Sequence, residues 1–349
     1  MPNNRQMSDC QDSTRTSSEN MFVSHTNIPL RFDVACLGEL VIDLAPAAEP
    51  DGRCTYEPKA GGAPGNVAVA LARLGHRVAM IAKVGDEAFG RMITRLLDNE
   101  GINTSGIVRT SAQRTSLAFI ILGPAGEREF IFYRENAADM FFEPAELDTR
   151  LIAESAVLHV NTVMLLGASS RRAQASAIAA SRQAGRLLSV DLNFRRSLWS
   201  DQEEMVTLGR DLVAQADILK LTEDELQDIA LGDTVADRVA NIWHDRLKVC
   251  AVTKGAAGAE IFTPTAHASS NGFSVSAVDT TGAGDAFAAS MLSELTTLGF
   301  DVNSTEVLEY TLRRACAAGA LSTRHKGAME SMPNKSDIDN LLQHPLSFE

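Results

Sequence analysis

Short apolar runs alternate with segments of helical spacing from Phe32 onward. The run Phe32–Leu44 predicts a buried strand that is broken at Gly38 and ends at Asp43, and Asn66–Gly75 predicts a helix. The other predicted elements are the strand Arg77–Val84, the helix Glu87–Glu100 and the strands Ser155–Asn161, Leu187–Asp191, Ile218–Leu221 and Lys248–Thr253. Because these runs are almost continuously apolar, the pattern predicts an α/β fold whose mostly parallel sheet is covered on both faces.

Two segments follow a different rhythm. Arg53–Lys59 and Thr115–Arg134 alternate like antiparallel strands, and the second contains a turn signal at Gly123–Gly126. We interpret them as a small β-sheet lid inserted into the α/β domain, built from segments at about 45–60 and 113–135.

The N-terminal residues 1–28 are rich in Ser, Thr, Asn and Asp and lack an apolar core. This composition predicts a disordered extension rather than a secretory signal. The remaining residues, 29–345, are predicted to form one α/β domain.

Composition narrows the classes of function. The chain has 349 residues, 45% of them apolar, and a formal net charge of −13, which argues against nucleic-acid and membrane-surface partners. The five cysteines are scattered and never spaced as CxxC, so reduced thiols in a cytoplasmic protein are expected.

The strongest chemical signal is the segment DTTGAGDAF at Asp279–Phe287. A strand-like run, Phe273–Val278, precedes it and a small-residue helix, Ala286–Leu298, follows it. Gly282 and Gly284 allow a tight turn that exposes consecutive amides at a helix N-terminus, where an anion binds. Asp285 has the wrong charge for a phosphate ligand and suits a base aimed at a hydroxyl; an Asp that merely caps the helix is the alternative.

Two further segments carry candidate chemistry. GGAPGN at Gly61–Asn66 opens a helix, and Asn66 offers both a donor and an acceptor to a ligand. Taken alone, the segment favours the alternative, a turn with an Asn N-cap. Asp43 ends an apolar run, where a carboxylate is costly unless it is paired or functional. Sugar hydroxyls would suit it as donors.

GGAPGNVAVALARLG and DTTGAGDAF resemble the two signature motifs of the ribokinase-like, or phosphofructokinase-B type, carbohydrate kinases. The resemblance covers roughly Asp33 to Pro333. It implies a doubly wound α/β domain with a β-sheet lid, and a kinase that uses ATP and Mg²⁺ to phosphorylate a primary hydroxyl of a sugar.

The resemblance also implies roles for individual residues. Asp285 is expected to be the catalytic base, and three neighbours are expected to form the anion hole, Gly282, Ala283 and Gly284. The implied sugar-binding residues are Asp43, Gly62, Asn66, Arg134, Asn136, Asp191, Asn193 and Arg195. The implied nucleotide-binding residues are Lys220, Thr253, Gly255 and Gly258.

The family's NxxE motif, which organises Mg²⁺, corresponds here to Thr222–Glu225. Glu225 is retained and Thr222 replaces the Asn; an exposed acidic run at a helix start is the alternative for Glu225. Asp279 and Thr281 are implied as part of a monovalent cation site of the K⁺ type.

Within the family, GELVIDLAP and GEREFIFYRENAADM most resemble fructokinases. A 2-keto-3-deoxygluconate kinase, in which Tyr133-Arg134 would meet the acid's carboxylate, and an aminoimidazole riboside kinase stay open, as does a non-catalytic scaffold of the same fold. A homodimer through the lid and a lid that only covers the sugar in one subunit both stay open.

Overall fold

The computed structural model describes residues 28–48, 54–122, 128–302 and 304–344. The predicted disordered extension, apart from Ile28, and the predicted turn at Gly123–Gly126 lie outside these residues. The strands in the described residues are β1 (Phe32–Leu37), β2 (Val41–Ala48), β3 (Cys54–Gly61), β4 (Val78–Gly85), β5 (Asn103–Thr110), β6 (Ser116–Leu122), β7 (Arg128–Tyr133), β8 (Ser155–Asn161), β9 (Leu187–Asp191), β10 (Ile218–Thr222), β11 (Val249–Thr253), β12 (Ala259–Phe262) and β13 (His267–Ser270).

The α-helices of the same residues begin with α1, which follows the GGAPGN turn. They are α1 (Ala63–Arg73), α2 (Ala88–Asn99), α3 (Thr149–Ala153), α4 (Ala168–Gln183), α5 (Gln202–Val213), α6 (Glu223–Ile229), α7 (Val235–Ile242), α8 (Ala283–Thr297), α9 (Thr305–Ser322) and α10 (Lys335–Gln343). None of the helices in the described ranges has both the length and the apolar character needed to cross a bilayer.

Nine strands form the large sheet in the order β13-β12-β11-β10-β9-β8-β1-β4-β5. The pairings from β10–β11 through to β4–β5 are parallel, and β12 and β13 add an antiparallel edge. The predicted mostly parallel sheet is therefore confirmed. Apart from Phe32–Leu44, each predicted strand of its core agrees with the observed strand to within one residue at either end.

Both faces of this sheet are covered, as the apolar runs predicted. On β1, Val34 and Cys36 join the hydrophobic cluster that includes residues of α1, α8 and α9. Ala35 and Leu37 point to the opposite face and join the cluster that includes residues of α4 and α5. Successive strand residues face opposite sides, so a strand between two helical layers must be apolar at every position.

Four strands form a separate small sheet in the order β3-β2-β6-β7. β2 pairs antiparallel with β3 and parallel with β6, and β6 pairs antiparallel with β7. The sequence indicated β3, β6 and β7 as its members, and the predicted lid segment at about 45–60 also includes the second half of β2. The first half, Val41–Leu44, was assigned wrongly, because Phe32–Leu44 was interpreted as a strand of the large sheet.

The chain instead leaves the large sheet after Leu37 and enters the small sheet at Val41. Asp43 therefore lies inside β2, opposite Lys59 of β3 and Ala118 of β6, rather than at the end of a core strand. The apolar run continues across the change of sheet because both ends of it are buried.

The predicted strand Phe273–Val278 was also wrong, since none of these residues lies in a strand. The backbone amides of Val278 and Asp279 donate instead to the carbonyl oxygen of Thr323, at 2.7 and 2.9 Å, at the end of α9. This anchor fixes the approach to α8, which begins three residues earlier than predicted.

Candidate active site

A cavity of about 1190 Å³ lies between the small sheet and the carboxyl ends of the central strands of the large sheet. Ligands of open α/β sheets bind at this edge. The wall residues that the sequence singled out are Asp43, Gly62, Asn66, Arg134, Asn193, Arg195, Lys220, Thr222, Glu225, Thr281, Gly282, Gly284 and Asp285.

Asp285 lies in the first turn of α8 and only 4% of it is exposed. Gly282 is the N-cap of this helix with φ of 81°, a left-handed conformation that favours glycine. Burial raises the pKa of Asp285, although Arg195, Asn66 and Lys220 oppose the rise. A carboxylate with a raised pKa at a helix N-terminus is suited to accept a proton from a hydroxyl.

Asn66 positions Asp285 from the opposite element, α1. Its Nδ2 donates to Asp285 Oδ2 at 2.7 Å. Its Oδ1 is buried and has no hydrogen-bond partner among the described residues. A buried acceptor without a partner is unfavourable, so Asn66 suits a hydroxyl donor that arrives with a ligand. It lies inside α1, at the fourth residue, and is not the N-cap.

Lys220, on β10, lies beside the turn that precedes Asp285. Its Nζ donates to both carboxylate oxygens of Asp191, at 3.1 and 3.0 Å, and both side chains are buried. A Cβ on Gly284 would come within 2.9 Å of Lys220 Nζ, so the ammonium approaches the N-terminus of α8 closely. Cation and helix amides together form a site for a phosphoryl group.

The charge of Lys220 is secured by its neighbours. Burial lowers its pKa, but Asp191, Glu225 and Asp285 outweigh that effect and raise it. Burial also raises the pKa of Asp191, and the ammonium of Lys220 opposes that rise. Lys220 is therefore an ammonium at neutral pH.

Asp43 faces the cavity from β2 of the small sheet, with 8% of it exposed. Burial raises its pKa to about 7, with smaller contributions from Asp279, Glu330 and Asp285, and Arg195 opposes the rise. Both protonation states of Asp43 are thus accessible near neutral pH, and each can hydrogen-bond to a sugar hydroxyl.

Arg134 enters the cavity wall at the end of β7. It is buried, with 7% of it exposed, and forms an ion pair with Asp139. Its Nη1 has no hydrogen-bond partner within the described part of the chain. The guanidinium therefore keeps one donor for a ligand.

Glu225 and Thr222 form the capping box of α6. Glu225 Oε2 accepts from the amide of Thr222 and Oε1 accepts from the amide of Phe194, both at 2.7 Å. A carboxylate has about four lone-pair directions, so Glu225 retains capacity to bind a hydrated cation through water, as Mg²⁺ prefers. The residues at hand fit a divalent ion held in this way.

Asp279 and Thr281 lie at the approach to α8. Asp279 Oδ1 accepts from the amide of Thr281 at 2.9 Å, and Oδ2 accepts from the amide of Gly327 at 3.1 Å. In the ranges that the structure describes, no three His, Cys, Asp or Glu residues converge as a metal cluster. The predicted cation ligands therefore form two pairs in different parts of the fold. Thr222 and Glu225 lie at the start of α6, and Asp279 and Thr281 lie before α8.

Several predicted site residues lie off the cavity wall. Asp191 is behind Lys220, and Ala283 is the first residue of α8. Thr253, Gly255 and Gly258 lie on β11 and its connection to β12, next to β10. Their roles in binding nucleotide stay predictions.

Asn136 is exposed and has a positive φ of 60° in the turn after β7. Its position indicates a turn-forming residue, because Asn tolerates the left-handed conformation.

Sequence reasoning missed four residues of this region: Glu39, Asp139, Phe130 and Phe132. Glu39 is a buried carboxylate in the cavity wall and accepts from the amide of Ala63 at 3.1 Å. Burial raises its pKa, and Arg134 opposes the rise. Like Asp43, Glu39 is an acidic residue in an apolar run, and that signal could have identified it. Phe130 and Phe132 line the cavity from β7.

A family model for the pfkB family carbohydrate kinases matches residues 31–335. Fructokinase-2 of Solanum lycopersicum is 37% identical over 317 residues, which are 89% of this chain and 96% of that protein. Probable fructokinase-4 of Arabidopsis thaliana is 36% identical over 317 residues, with the same coverage of each chain.

Solved structures share the fold. The fructokinase of Xylella fastidiosa with bound ATP has a TM-score of 0.82 and 32% identity, and the match covers 89% of this chain and 98% of that one. The fructokinase of Vibrio cholerae O395 in its fructose-, ADP- and calcium-bound form has a TM-score of 0.79 and 32% identity, over 89% of this chain and 99% of that one.

Proposed function

The chain belongs to the pfkB family of carbohydrate kinases, and we propose that it is an ATP-dependent fructokinase. It transfers the γ-phosphoryl group of ATP to the primary hydroxyl on carbon 6 of D-fructose, and the products are fructose 6-phosphate and ADP. The observation that carries the proposal is the placement of Asp285, a buried carboxylate at the N-terminus of α8 that lies between Asn66 and the ammonium of Lys220.

Asp285 acts as the general base. It accepts the proton of the primary hydroxyl while the hydroxyl oxygen forms a bond to the γ-phosphorus. The bond from that phosphorus to the β,γ-bridging oxygen breaks, and the electron pair leaves with ADP. Catalysis of this kind consists mainly of positioning and charge stabilisation.

The anion hole stabilises the charge on the transferred group. The amides of Gly282, Ala283 and Gly284 lie at the start of α8, and Lys220 adds an ammonium donor next to Gly284. Preorganised donors in a site that excludes water are worth far more than donors in water.

The sugar binds between α1 and the small sheet, and the proposed contacts come from the polar wall. Asp43 and Asn66 receive hydroxyl hydrogens, Arg134 donates through Nη1, and Gly62 allows close approach. The other proposed contacts are Asn193 and Arg195, with Asp191 acting through Lys220.

ATP lies along the ends of β10 and β11, with Lys220, Thr253, Gly255 and Gly258 as its proposed contacts. The proposed reaction uses a divalent cation, which we assign as Mg²⁺. We place it near Glu225 and Thr222, where it would neutralise phosphate charge. A K⁺-type ion near Asp279 and Thr281 belongs to the same proposal. The use of ATP with a divalent cation is supported by a related structure, a putative ribokinase II of E. coli in complex with ATP and Mg²⁺ at 25% identity.

The small sheet serves as the lid that covers the sugar, and Phe130 and Phe132 on β7 form its underside. Its outer face carries exposed apolar side chains, with Ile131 42% and Tyr133 61% exposed. We propose that two copies pair through this face. The cytoplasm is the proposed compartment, because Cys36, Cys250 and Cys316 are free and buried.

The test is ATP turnover with Mg²⁺ by the purified protein, on D-fructose, 2-keto-3-deoxygluconate and aminoimidazole riboside in parallel. We expect the wild type to turn over fructose and the Asp285→Asn variant to be inactive. Turnover on one of the other two instead would reassign the substrate and keep the mechanism. Binding of ATP without turnover on any of the three would favour a non-catalytic scaffold.

A further inference from the structure

Arg134 is held in a closed, buried network. Its Nη2 donates to Asp139 Oδ2, its Nε donates to Ser116 Oγ at 3.3 Å, and Ser116 Oγ donates to Asp139 Oδ1 at 2.5 Å. The exposed fractions of Arg134, Ser116 and Asp139 are 7%, 1% and 2%. The guanidinium therefore has one orientation, fixed by two side chains that do not themselves line the cavity.

The backbone delivers Asp139 to this position. The amide of Ala137 donates to the carbonyl of Arg134 at 3.0 Å and closes a turn, in which Asn136 has the positive φ. The amide of Ala138 then donates to the carbonyl of Arg114 at 2.8 Å, and a 3₁₀ helix, Ala138–Phe141, follows. Asp139 is thus a built-in partner of Arg134 and not a mobile surface counterion.

Asp139 changes what Arg134 can offer a ligand. Asp139 and Glu39 raise the pKa of Arg134 although burial opposes them, so the guanidinium stays charged. That charge is already matched by the carboxylate of Asp139. What remains for a ligand is one hydrogen-bond donor, Nη1, without an unmatched positive charge.

The other charged groups around this part of the cavity are mostly acidic. Glu39, Asp43 and Asp285 are buried carboxyl groups in the wall. The cations of the wall besides Arg134 are Arg195, Arg196 and Lys220, and the last two are paired with Asp228 and Asp191. A ligand carboxylate placed against Arg134 would also be repelled by Asp139, which is paired with the guanidinium, and by Glu39, whose charge acts on the same guanidinium from the cavity wall. Repulsion of this kind discriminates against a competing ligand without weakening the contacts to the preferred one.

We propose that Asp139 is a specificity-determining positioning residue that makes the site select a neutral sugar over a sugar acid, by neutralising Arg134 and fixing its free donor. The inference rests on the proposed sugar kinase function and decides between a neutral ketohexose and 2-keto-3-deoxygluconate as its substrate. Ser116 supports the same arrangement by bridging the two charged side chains.

The experiment compares kcat/KM for D-fructose and for 2-keto-3-deoxygluconate in the wild type and in Asp139→Asn. The wild type is expected to favour fructose by roughly 100-fold or more. In Asp139→Asn, which keeps the size of the side chain and removes its charge, the ratio is expected to move toward the acid by at least about tenfold. Asp139→Glu, which keeps the charge, is expected to retain a fructose preference.

Glu146→Gln is the matched control. Glu146 forms an ion pair with Lys83 at 2.7 Å in the next 3₁₀ turn of the chain and does not line the cavity. This variant is expected to leave the substrate ratio unchanged, so a shift confined to Asp139→Asn reports on the site rather than on local stability.

An Asp139→Asn variant that loses activity equally on both substrates would overturn the inference and leave Asp139 a purely structural residue. A wild type that uses the acid as well as fructose would overturn it whether or not the variant folds. A wild type that turns over neither substrate would instead contradict the proposed function, so the two failures are distinguishable.

Discussion

Asn66 and Asp285 are 219 positions apart in the chain, yet Asn66 Nδ2 donates to Asp285 Oδ2 at 2.7 Å. The bond joins α1, which follows the GGAPGN turn, to the first turn of α8, and the two helices pack against each other on one face of the large sheet. The two signature segments are therefore in direct contact, because GGAPGN supplies the donor of this hydrogen bond and DTTGAGDAF supplies the acceptor. The amide holds the carboxylate in place and leaves Asn66 Oδ1 for a ligand hydroxyl.

Replacing Asn66 by Ala is expected to lower kcat/KM on fructose by roughly 100-fold, because a small displacement of the base is sufficient for such a loss. The hydrogen bond from Asn66 also lowers the pKa of Asp285. Without it, the pKa of the base rises further, and the acid limb of the kcat/KM profile should move to higher pH.

Asn193→Ala is the control for this prediction. Asn193 is another buried amide of the cavity wall, and its Nδ2 has no partner in the described residues. Its loss should raise KM for the sugar and leave the acid limb where it is in the wild type. If the acid limb of the kcat/KM profile of Asn66→Ala lies at the same pH as in the wild type, Asn66 does not position the base.

Replacing Lys220 by Met is expected to remove turnover and to lower the free energy of unfolding by about 3–5 kcal/mol, because Asp191 is left buried without its partner. The double variant Lys220→Met/Asp191→Asn removes both charges. It should regain most of the stability, measured by chemical denaturation, and remain inactive.

Lys83→Met provides the comparison, since Lys83 is a buried ammonium paired with Glu146 away from the cavity wall. It should lose stability and retain kcat/KM. If Lys220→Met kept wild-type turnover while losing stability, Lys220 would be a structural residue and would not contact the phosphoryl group.

The sequence was sufficient to predict the parts of the site that one continuous segment builds. Gly282, Gly284 and Asp285 are close in the chain, and a turn followed by a helix places them together whatever the rest of the fold does. The core strands were equally accessible, since a strand covered on both faces must be apolar at each position.

The sequence was insufficient where two segments must meet. An apolar run shows that Val41–Leu44 is buried and extended, but it cannot tell which sheet the segment joins, and Asp43 was therefore assigned to the wrong one. The role of Asp139 could not be predicted from the sequence, because Asp139 reaches Arg134 only through the turn at Asn136. Phe273–Val278 has the composition of a strand but does not form one, and the amide of Val278 donates to Thr323 after α9 instead.

Replacing Ile131 by Asp is expected to convert the proposed dimer to a monomer, because the charge would lie on the exposed outer face of β7 that includes Tyr133. Leu231→Asp is the control, since Leu231 is 78% exposed and lies after α6, far along the chain from the small sheet. Light scattering measures the mass. A wild type that is monomeric throughout, or an Ile131→Asp dimer, would remove the small sheet as the interface.

Asp43 makes the stability of the protein depend on pH in a direction that can be measured. Its pKa is raised to about 7 in the folded state, mainly by burial, from an ordinary value near 4. Between these two values the folded chain binds a proton at Asp43 that the unfolded chain has lost. The stability from this group is therefore complete below the unfolded value and is lost as the pH rises toward the folded value, so the wild type bears the full cost of a buried charge only above about pH 7.

Asp43→Asn keeps the shape of the side chain and removes this titration. The free energy of unfolding of Asp43→Asn minus that of the wild type should therefore be about 2–4 kcal/mol higher at pH 8.5 than at pH 4. The variant thus gains stability relative to the wild type as the pH rises. Asp33→Asn is the control with the opposite sign, because the hydrogen bonds and charge of Arg77 outweigh partial burial and hold the pKa of Asp33 below its usual value. That variant should be less stable than the wild type at neutral pH and approach it in acid. A difference for Asp43→Asn that is the same at both pH values would mean that the Asp43 carboxyl titrates in the folded protein as it does in the unfolded chain, and that Arg195 offsets its burial completely.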